Sequence, residues 1–337
     1  MQRGRKTRNA IYRQLEEGVG ELRTRLGGLP SPAEAQDIWG NIWEQEAHNS
    51  TAIEGNTLVL REVEALLREG KAVGDKQLAE YMEVRGYADA AAWVYGQGFD
   101  PEAWTTGELI TITEVREVHR LAMSKVWAIA PHPLATDREA PGSFREHDIH
   151  PFPDGMQPPP WPTVSSRMMD WVAEAARLST PGDLPFPERL ADVHATFERI
   201  HPFLDGNGRA GRLSTNLLLV RLGYPPAIVR KAESSRYLQA LRRADTGDVG
   251  PLGELLARAV TDTLMRFIVP AVAGPARLVP LAALAHPGLT PRALRAAAER
   301  GRLRAQRDDR GQWRSTRKWV DEYKSDRYKR ASTDHSA

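Results

Sequence analysis

The chain has no cysteine, which excludes disulfides, thiolate metal sites and cysteine nucleophiles and fits a reducing compartment. It also lacks any apolar run approaching the roughly 18 residues that a membrane-spanning helix needs. The basic start from Met1 to Arg8 leads into Ile11 to Glu21 without the apolar centre of a secretory signal. A cytoplasmic protein with no membrane partner is therefore expected. Net charge is small as well, +2 over 337 residues, but it is unevenly spread. From Arg277 onward 15 Lys+Arg stand against 7 Asp+Glu, whereas the residues before it carry 31 against 37. A basic tail thus follows a mildly acidic body, and Pro-Ala-Val-Ala-Gly-Pro over Pro270 to Pro275 reads as the join.

With 41% hydrophobic residues, a chain of this length can bury one large core and one small one. The expected division is a basic N-terminal arm over 1–30, a main domain over 31–275 and a small basic domain over 276–337. The main domain reads as mostly α. Ser31-Pro32-Ala33-Glu34 offers an N-cap, a proline for the first helical position and a glutamate that closes a capping box. Ala35, Ile38, Trp39, Ile42, Trp43 and Ala47 then recur at three- and four-residue steps, and Gly55-Asn56 suits a C-terminal cap. Further helices are expected over 57–69, 75–95, 106–124, 163–178, 187–200, 208–222 and 232–244. The stretch 135–162 differs, because Pro151, Pro153, Pro158, Pro159, Pro160 and Pro162 cannot sit inside a helix. It is an ordered loop or a hairpin.

The segment with most chemistry is His201-Pro202-Phe203-Leu204-Asp205-Gly206-Asn207-Gly208-Arg209-Ala210-Gly211-Arg212. It joins two helical patterns, and Gly206 and Gly208 let several backbone N–H groups converge on one anion. The second helix starts there, so its dipole adds positive potential beside the forked donors of Arg209. A polyphosphate is the anion expected. Asp205 is a carboxylate suited to Mg²⁺, and His201 is a base with a usable pKa.

The segment resembles the Fic motif, His-Pro-Phe-x-Asp/Glu-Gly-Asn-Gly-Arg-x-x-Arg, at every specified position. That resemblance implies a Fic-type helical core and a protein adenylyltransferase using ATP and Mg²⁺. His201 would take the proton from a Ser, Thr or Tyr hydroxyl of a target protein, which attacks the α-phosphorus. Asp205 would bind Mg²⁺, Gly206, Asn207 and Gly208 would cradle phosphate, Arg209 would neutralise the developing charge, and Arg212 would reach the γ-phosphate. Pro141-Gly142-Ser143-Phe144-Arg145 resembles the start of the Fic flap, a β-hairpin that docks the target by strand addition, so Gly142, Ser143, Phe144 and Arg145 are assigned to docking. Tyr237 falls where a Fic tyrosine lines the adenine pocket. Upstream, Ser50-Thr51-Ala52-Ile53-Glu54-Gly55 resembles the Fic inhibitory motif, which implies an inhibitory helix over about 31–56 with Glu54 paired bidentately to Arg212.

The tail reads separately. Thr290-Pro291 starts a helix carrying Arg292, Leu294, Arg295 and Ala298, Gly301 ends it, and Leu303 to Ser315 suggests a two-stranded wing. A last helix is expected over Arg317 to Tyr323. With Leu278, Leu281 and Leu284 ahead of it, the tail resembles an excisionase-like winged helix-turn-helix, which implies DNA as a partner of residues 277–330 through Arg292, Arg295, Arg302 and Arg304. Docking on a protein is the alternative, and a homo-oligomer is compatible with the chain. Two other functions also stay open: a transcriptional regulator that senses nucleotide through the Fic fold, and removal of AMP with Glu54 orienting water.

Overall fold

The computed structural model describes residues 6–99, 108–150, 156–273, 278–286, 288–308 and 311–333, with side chains to residue 325. The first helix, α1 (Arg8–Arg25), lies where an arm was expected. Thr7 caps it by accepting from the Ala10 N–H, and Ile11, Tyr12, Leu15, Val19 and Leu22 form a buried stripe. An apolar stripe at that spacing has to be covered, and α10 (Gly250–Thr263) covers it. Ser31 and Glu34 do pair, with the Ser31 N–H and hydroxyl each 2.8 Å from Glu34 Oε2. They close a turn rather than a helix, because Ala35 has left helical geometry at φ −142°, ψ 51°. Helix α2 (Gln36–Ile53) starts after it.

The body continues with α3 (Leu60–Glu69), α4 (Leu78–Phe99), α5 (Ile112–Trp127), α6 (Val164–Ala176), α7 (Phe186–Ile200), α8 (Asn207–Arg221) and α9 (Ser234–Asp245). After α10 a π-helical stretch, Leu264–Ile268, leads into α11 (Val269–Val272). Helix α8 is the axis, packed on α2, α4, α5 and α7, and all its residues except Gly208 are buried. Its polar side chains are therefore paired inward. Asn216 Nδ2 donates to Glu46 Oε1 at 2.7 Å, and its Oδ1 accepts from the Ala227 N–H at 2.8 Å.

The β-hairpin expected in the loop between α5 and α6 does not form among the described residues. The Ser143 N–H goes to Ala140 O and the Arg145 N–H to Pro202 O, so no ladder is built at the flap's start. Residues 151–155 lie outside the described residues.

The tail forms an antiparallel sheet in the order β1 (Val279–Pro280), β3 (Trp313–Ser315), β2 (Gln306–Arg307). Helix α12 (Pro291–Glu299) is capped by Thr290 as expected, and α13 (Arg317–Thr333) runs further than Tyr323. Leu281, Leu284, Leu294, Leu303 and Val320 fill a small core. The tail is tied to the body. Arg314 grips Glu21 of α1 with both terminal nitrogens, the second at 2.6 Å from Oε2, and Arg317 donates to Pro270 O at 2.7 Å. Among the described residues no helix is long and apolar enough to cross a membrane.

Candidate active site

The site is built where α7 ends and α8 begins. His201 terminates α7 in the left-handed region, at φ 50° and ψ 61°, and is the only non-glycine residue with positive φ among those described. That turn carries strain of about 1–3 kcal/mol, so surrounding contacts must hold it. His201 Nδ1 lies 3.0 Å from the Glu198 carbonyl oxygen, which can only accept. The proton therefore sits on Nδ1, and Nε2 is the nitrogen able to take one. Burial pulls this imidazole below its ordinary pKa, so it is neutral at pH 7.

Asp205 and Gly206 follow. Asp205 Oδ1 accepts from the Gly206 N–H at 2.6 Å and stands 3.4 Å from Arg209, while about half of the side chain stays exposed. Gly206 caps α8 at φ 75° against Met123, a position no side chain would fit. Asn207 does something the sequence did not indicate. Its side-chain amide both accepts from and donates to the Phe203 backbone, each at 2.8 Å, so the side chain staples the loop.

Both motif arginines are buried and engaged by carboxylates. Arg209, 4% exposed, donates to Glu83 Oε1 of α4 at 2.9 Å. Arg212 donates through Nη2 to Glu54 Oε1 at 2.6 Å and to the Ser50 carbonyl at 3.1 Å, and through Nε to Ser50 Oγ at 2.7 Å. The expected bidentate pair is thus a three-acceptor grip, because the end of α2 presents a hydroxyl and a carbonyl beside the carboxylate. Glu54 also leans on the start of α8, where a Cβ on Gly208 would collide with its Oε1. A carboxylate thus stands close to the N-terminus of α8.

Tyr237 is 1% exposed, so it presents no open face for a base. Its hydroxyl lies within hydrogen-bond distance of His194 Nε2, at 2.7 Å, and Arg212 lies 6.0 Å over its ring. His194 in turn reaches Thr215 Oγ1 at 2.8 Å, and burial lowers its pKa to about 3. Tyr237 supports Arg212 from behind. Of the flap residues, Gly142 and Arg145 are buried, while Ser143 and Phe144 are half-exposed. The Gly142 N–H donates to His119 Nδ1 at 2.8 Å, Ser143 closes a turn, Phe144 packs on Phe203, and Arg145 is fully buried.

Residues 109–219 match the Fic/DOC family. They are a Fic/DOC domain. The chain is 28% identical over 261 residues to the protein adenylyltransferase Fic of Nematostella vectensis, covering 77% of this chain and 56% of that protein. It is 32% identical over 229 residues to the Drosophila willistoni protein of the same name, covering 66% and 41%. The chain thus spans about half the length of these relatives. Among solved structures, Fic-1 from C. elegans superposes with TM-score 0.61 and 26% identity over 77% of this chain and 72% of that one. A Fic-domain signaling protein from Bacteroides thetaiotaomicron gives the same score at 22% identity, covering 78% and 95%, which speaks for the fold.

Around this Fic domain the structure gathers groups that sequence reasoning passed over. His119 of α5 donates from Nε2 to Asp205 O at 2.9 Å, stacks on Phe203 at 3.7 Å, and has its pKa lowered by burial to about 4. Glu46 lies one and two steps of four before Ser50 and Glu54 on α2, with Tyr87, Tyr95 and Asn216 around it. Burial raises its pKa. Glu198 of α7 sits beside Arg212 and is pushed up by burial to about 7. A reader of Trp-Glu-Gln-Glu or Phe-Glu-Arg-Ile would take those glutamates for a solvent face, and only packing shows otherwise.

Proposed function

We propose that the chain is a protein adenylyltransferase whose site is held off by its own α2. The observation that carries this is the grip of Glu54 and Ser50 on Arg212, directly beside His201 and the N-terminus of α8. His201 Nε2 takes the proton of a Ser, Thr or Tyr hydroxyl on a target protein. The hydroxyl oxygen forms its bond to the α-phosphorus of ATP as the bond to the β-phosphate oxygen breaks, and pyrophosphate leaves. The chain supplies position and charge, which this chemistry chiefly needs. Arg209 and Arg212 face the phosphates, and Gly206 and Gly208 leave room for them at the helix end.

Asp205 fits a Mg²⁺ ion. It is a half-exposed carboxylate next to the anion site, and Mg²⁺ is commonly held by one or two carboxylates with water and phosphate completing its sphere. When bound, Mg²⁺ neutralises phosphate charge. Glu54 at the helix end takes the γ-phosphate's partner away, so ATP enters but its α-phosphate is not aligned.

The tail is a second binding module in this proposal. Arg292, Arg295, Arg302 and Arg304 are all exposed, and a basic surface of this kind fits duplex DNA. Arg314 is not part of it, being committed to Glu21 and Asp308.

Incubating Glu54→Gly with a lysate and ATP labelled at either the α- or the γ-phosphate tests the enzymatic reading. Label on protein from α only is expected. Label from γ, or from neither, overturns it, and release of AMP from an already modified protein would favour removal instead.

A further inference from the structure

The guanidinium of Arg145 carries more than a flap assignment. Its side chain has no exposed surface, and it donates only to backbone carbonyls: Nε to His201 O at 2.9 Å, Nη1 to His147 O at 3.1 Å, and Nη2 to Pro159 O at 2.6 Å and Ile200 O at 3.5 Å. Its own N–H goes to Pro202 O at 2.9 Å. The nearest carboxylate, Asp148, is 3.7 Å away and exposed. Three consecutive carbonyls, those of Ile200, His201 and Pro202, are therefore satisfied by one residue.

A helix that ends abruptly leaves its last carbonyls without intrahelical donors, and its C-terminus carries partial negative charge. Glycine at the left-handed position usually resolves this. Here that position belongs to His201, which cannot be exchanged for glycine without losing the imidazole. A buried cation with a planar fork of donors supplies what glycine would have allowed, and lysine, with a single point charge, would not match the spread of carbonyls.

We propose that Arg145 is a positioning residue for AMP transfer: it caps α7, holds His201 in its left-handed turn, and so fixes the base relative to the phosphate site at the start of α8. This rests on His201 being the base. The same side chain holds the carbonyls of His147 and Pro159, on the two sides of the flap, so flap and base share one anchor.

The test uses the full chain carrying Glu54→Gly as parent, with Arg145→Met and Arg145→Lys added singly. Three quantities are read: kcat for AMP transfer, the Kd for ATP with Mg²⁺, and the His201 imidazole NMR resonance, assigned by its loss in His201→Ala. Misplacement of a reacting group by about 1 Å costs about 10²-fold in rate, so Arg145→Met is expected to lower kcat by about that factor. Arg145→Lys is expected to lower it at least about tenfold, with Kd within about threefold and the resonance shifted in both. A role in folding alone would instead weaken ATP binding in parallel. A kcat within about threefold of the parent in Arg145→Met overturns the proposal, and in Arg145→Lys does so if the Met variant does not fold. If the parent transfers no AMP, or keeps its rate in His201→Ala, the enzymatic reading has failed; the resonance still reports the anchor, and an unmoved signal in Arg145→Lys refutes it.

Discussion

The arginines of the motif and those of the tail carry the same charge under opposite conditions. Arg209 and Arg212 are 4% and 6% exposed, and each is met by a carboxylate from another helix, Glu83 of α4 and Glu54 of α2. Arg292, Arg295, Arg302 and Arg304 are exposed; Arg295 has an (i,i+4) partner in Glu299, and Arg304 lies over Trp319. Burying a cation without an acceptor is costly, and in the proposed reaction Arg212, held by Glu54 and Ser50, takes a phosphate by exchanging one acceptor for another. In that proposal the exchange is the switch. The exposed set has water and salt as its alternative, which gives attraction graded by ionic strength and no switch. Effects in the first region should be large and almost independent of salt, and those in the second small and steeply dependent on it.

The largest expected effect is at His201. With Glu54→Gly as background, His201→Ala should lower AMP transfer by about 10² to 10⁴-fold, the span of general base catalysis, while the Kd for ATP moves only a few-fold because Asp205, Arg209 and Arg212 remain. Radiolabel transfer and calorimetric titration check the two halves. A change in salt should not restore the rate.

Next comes acid lability. The folded His119 pKa of about 4 lies below the unfolded value of about 6.5, so its contribution is fully present above pH 6.5 and is lost as pH falls toward 4. The difference corresponds to about 3 kcal/mol. Urea unfolding at pH 7 and pH 4 should therefore show a smaller pH dependence in His119→Gln than in the wild type. Equal slopes would mean that this imidazole is not held neutral.

A smaller effect is expected at Ser50. Ser50→Ala removes the acceptor of Arg212 Nε but leaves the Ser50 carbonyl and Glu54 in place, so transfer should rise by less than about tenfold, or 1.4 kcal/mol. Arg212→Ala should not rise at all, since it frees Glu54 and deletes a phosphate ligand together. Initial rates of the two variants separate the cases.

The smallest effects belong to the tail. Removing one exposed cation with Arg292→Ala should weaken DNA binding about uniformly across sequences and reduce the salt slope by about one, with AMP transfer unchanged. Fluorescence anisotropy over a salt series measures this, and a tail that binds no DNA at low salt would leave protein docking as its role.

How much of this was legible in the sequence follows the same division. The motif loop was legible because its chemistry is local: glycines at a turn, a helix start and two arginines three residues apart need no tertiary information. Glu54 was legible as a partner of Arg212 only through the inhibitory motif, and the share taken by the Ser50 carbonyl was not, since it depends on how α2 ends. Helix α1 was missed because its basic first residues masked a regular apolar stripe from Ile11 to Leu22. The sequence assigns Arg145 to target docking and Tyr237 to the adenine pocket, and it is packing that turns these side chains inward, Arg145 onto loop carbonyls and Tyr237 behind Arg212; the Asn207 side chain holds the loop in the same way. His119 and Glu46 gave no local signal, because a buried polar residue is recognised by its partners, which lie far away in the chain.

The central claim is that Glu54 stands in for phosphate on Arg212 and so restrains an otherwise assembled site. Its most direct test is the initial rate of label transfer from α-labelled ATP to protein by the wild type and by Glu54→Gly, side by side. The account predicts a rise of well over roughly tenfold, a barrier lowered by more than about 1.4 kcal/mol. Equal rates in the two proteins would contradict it.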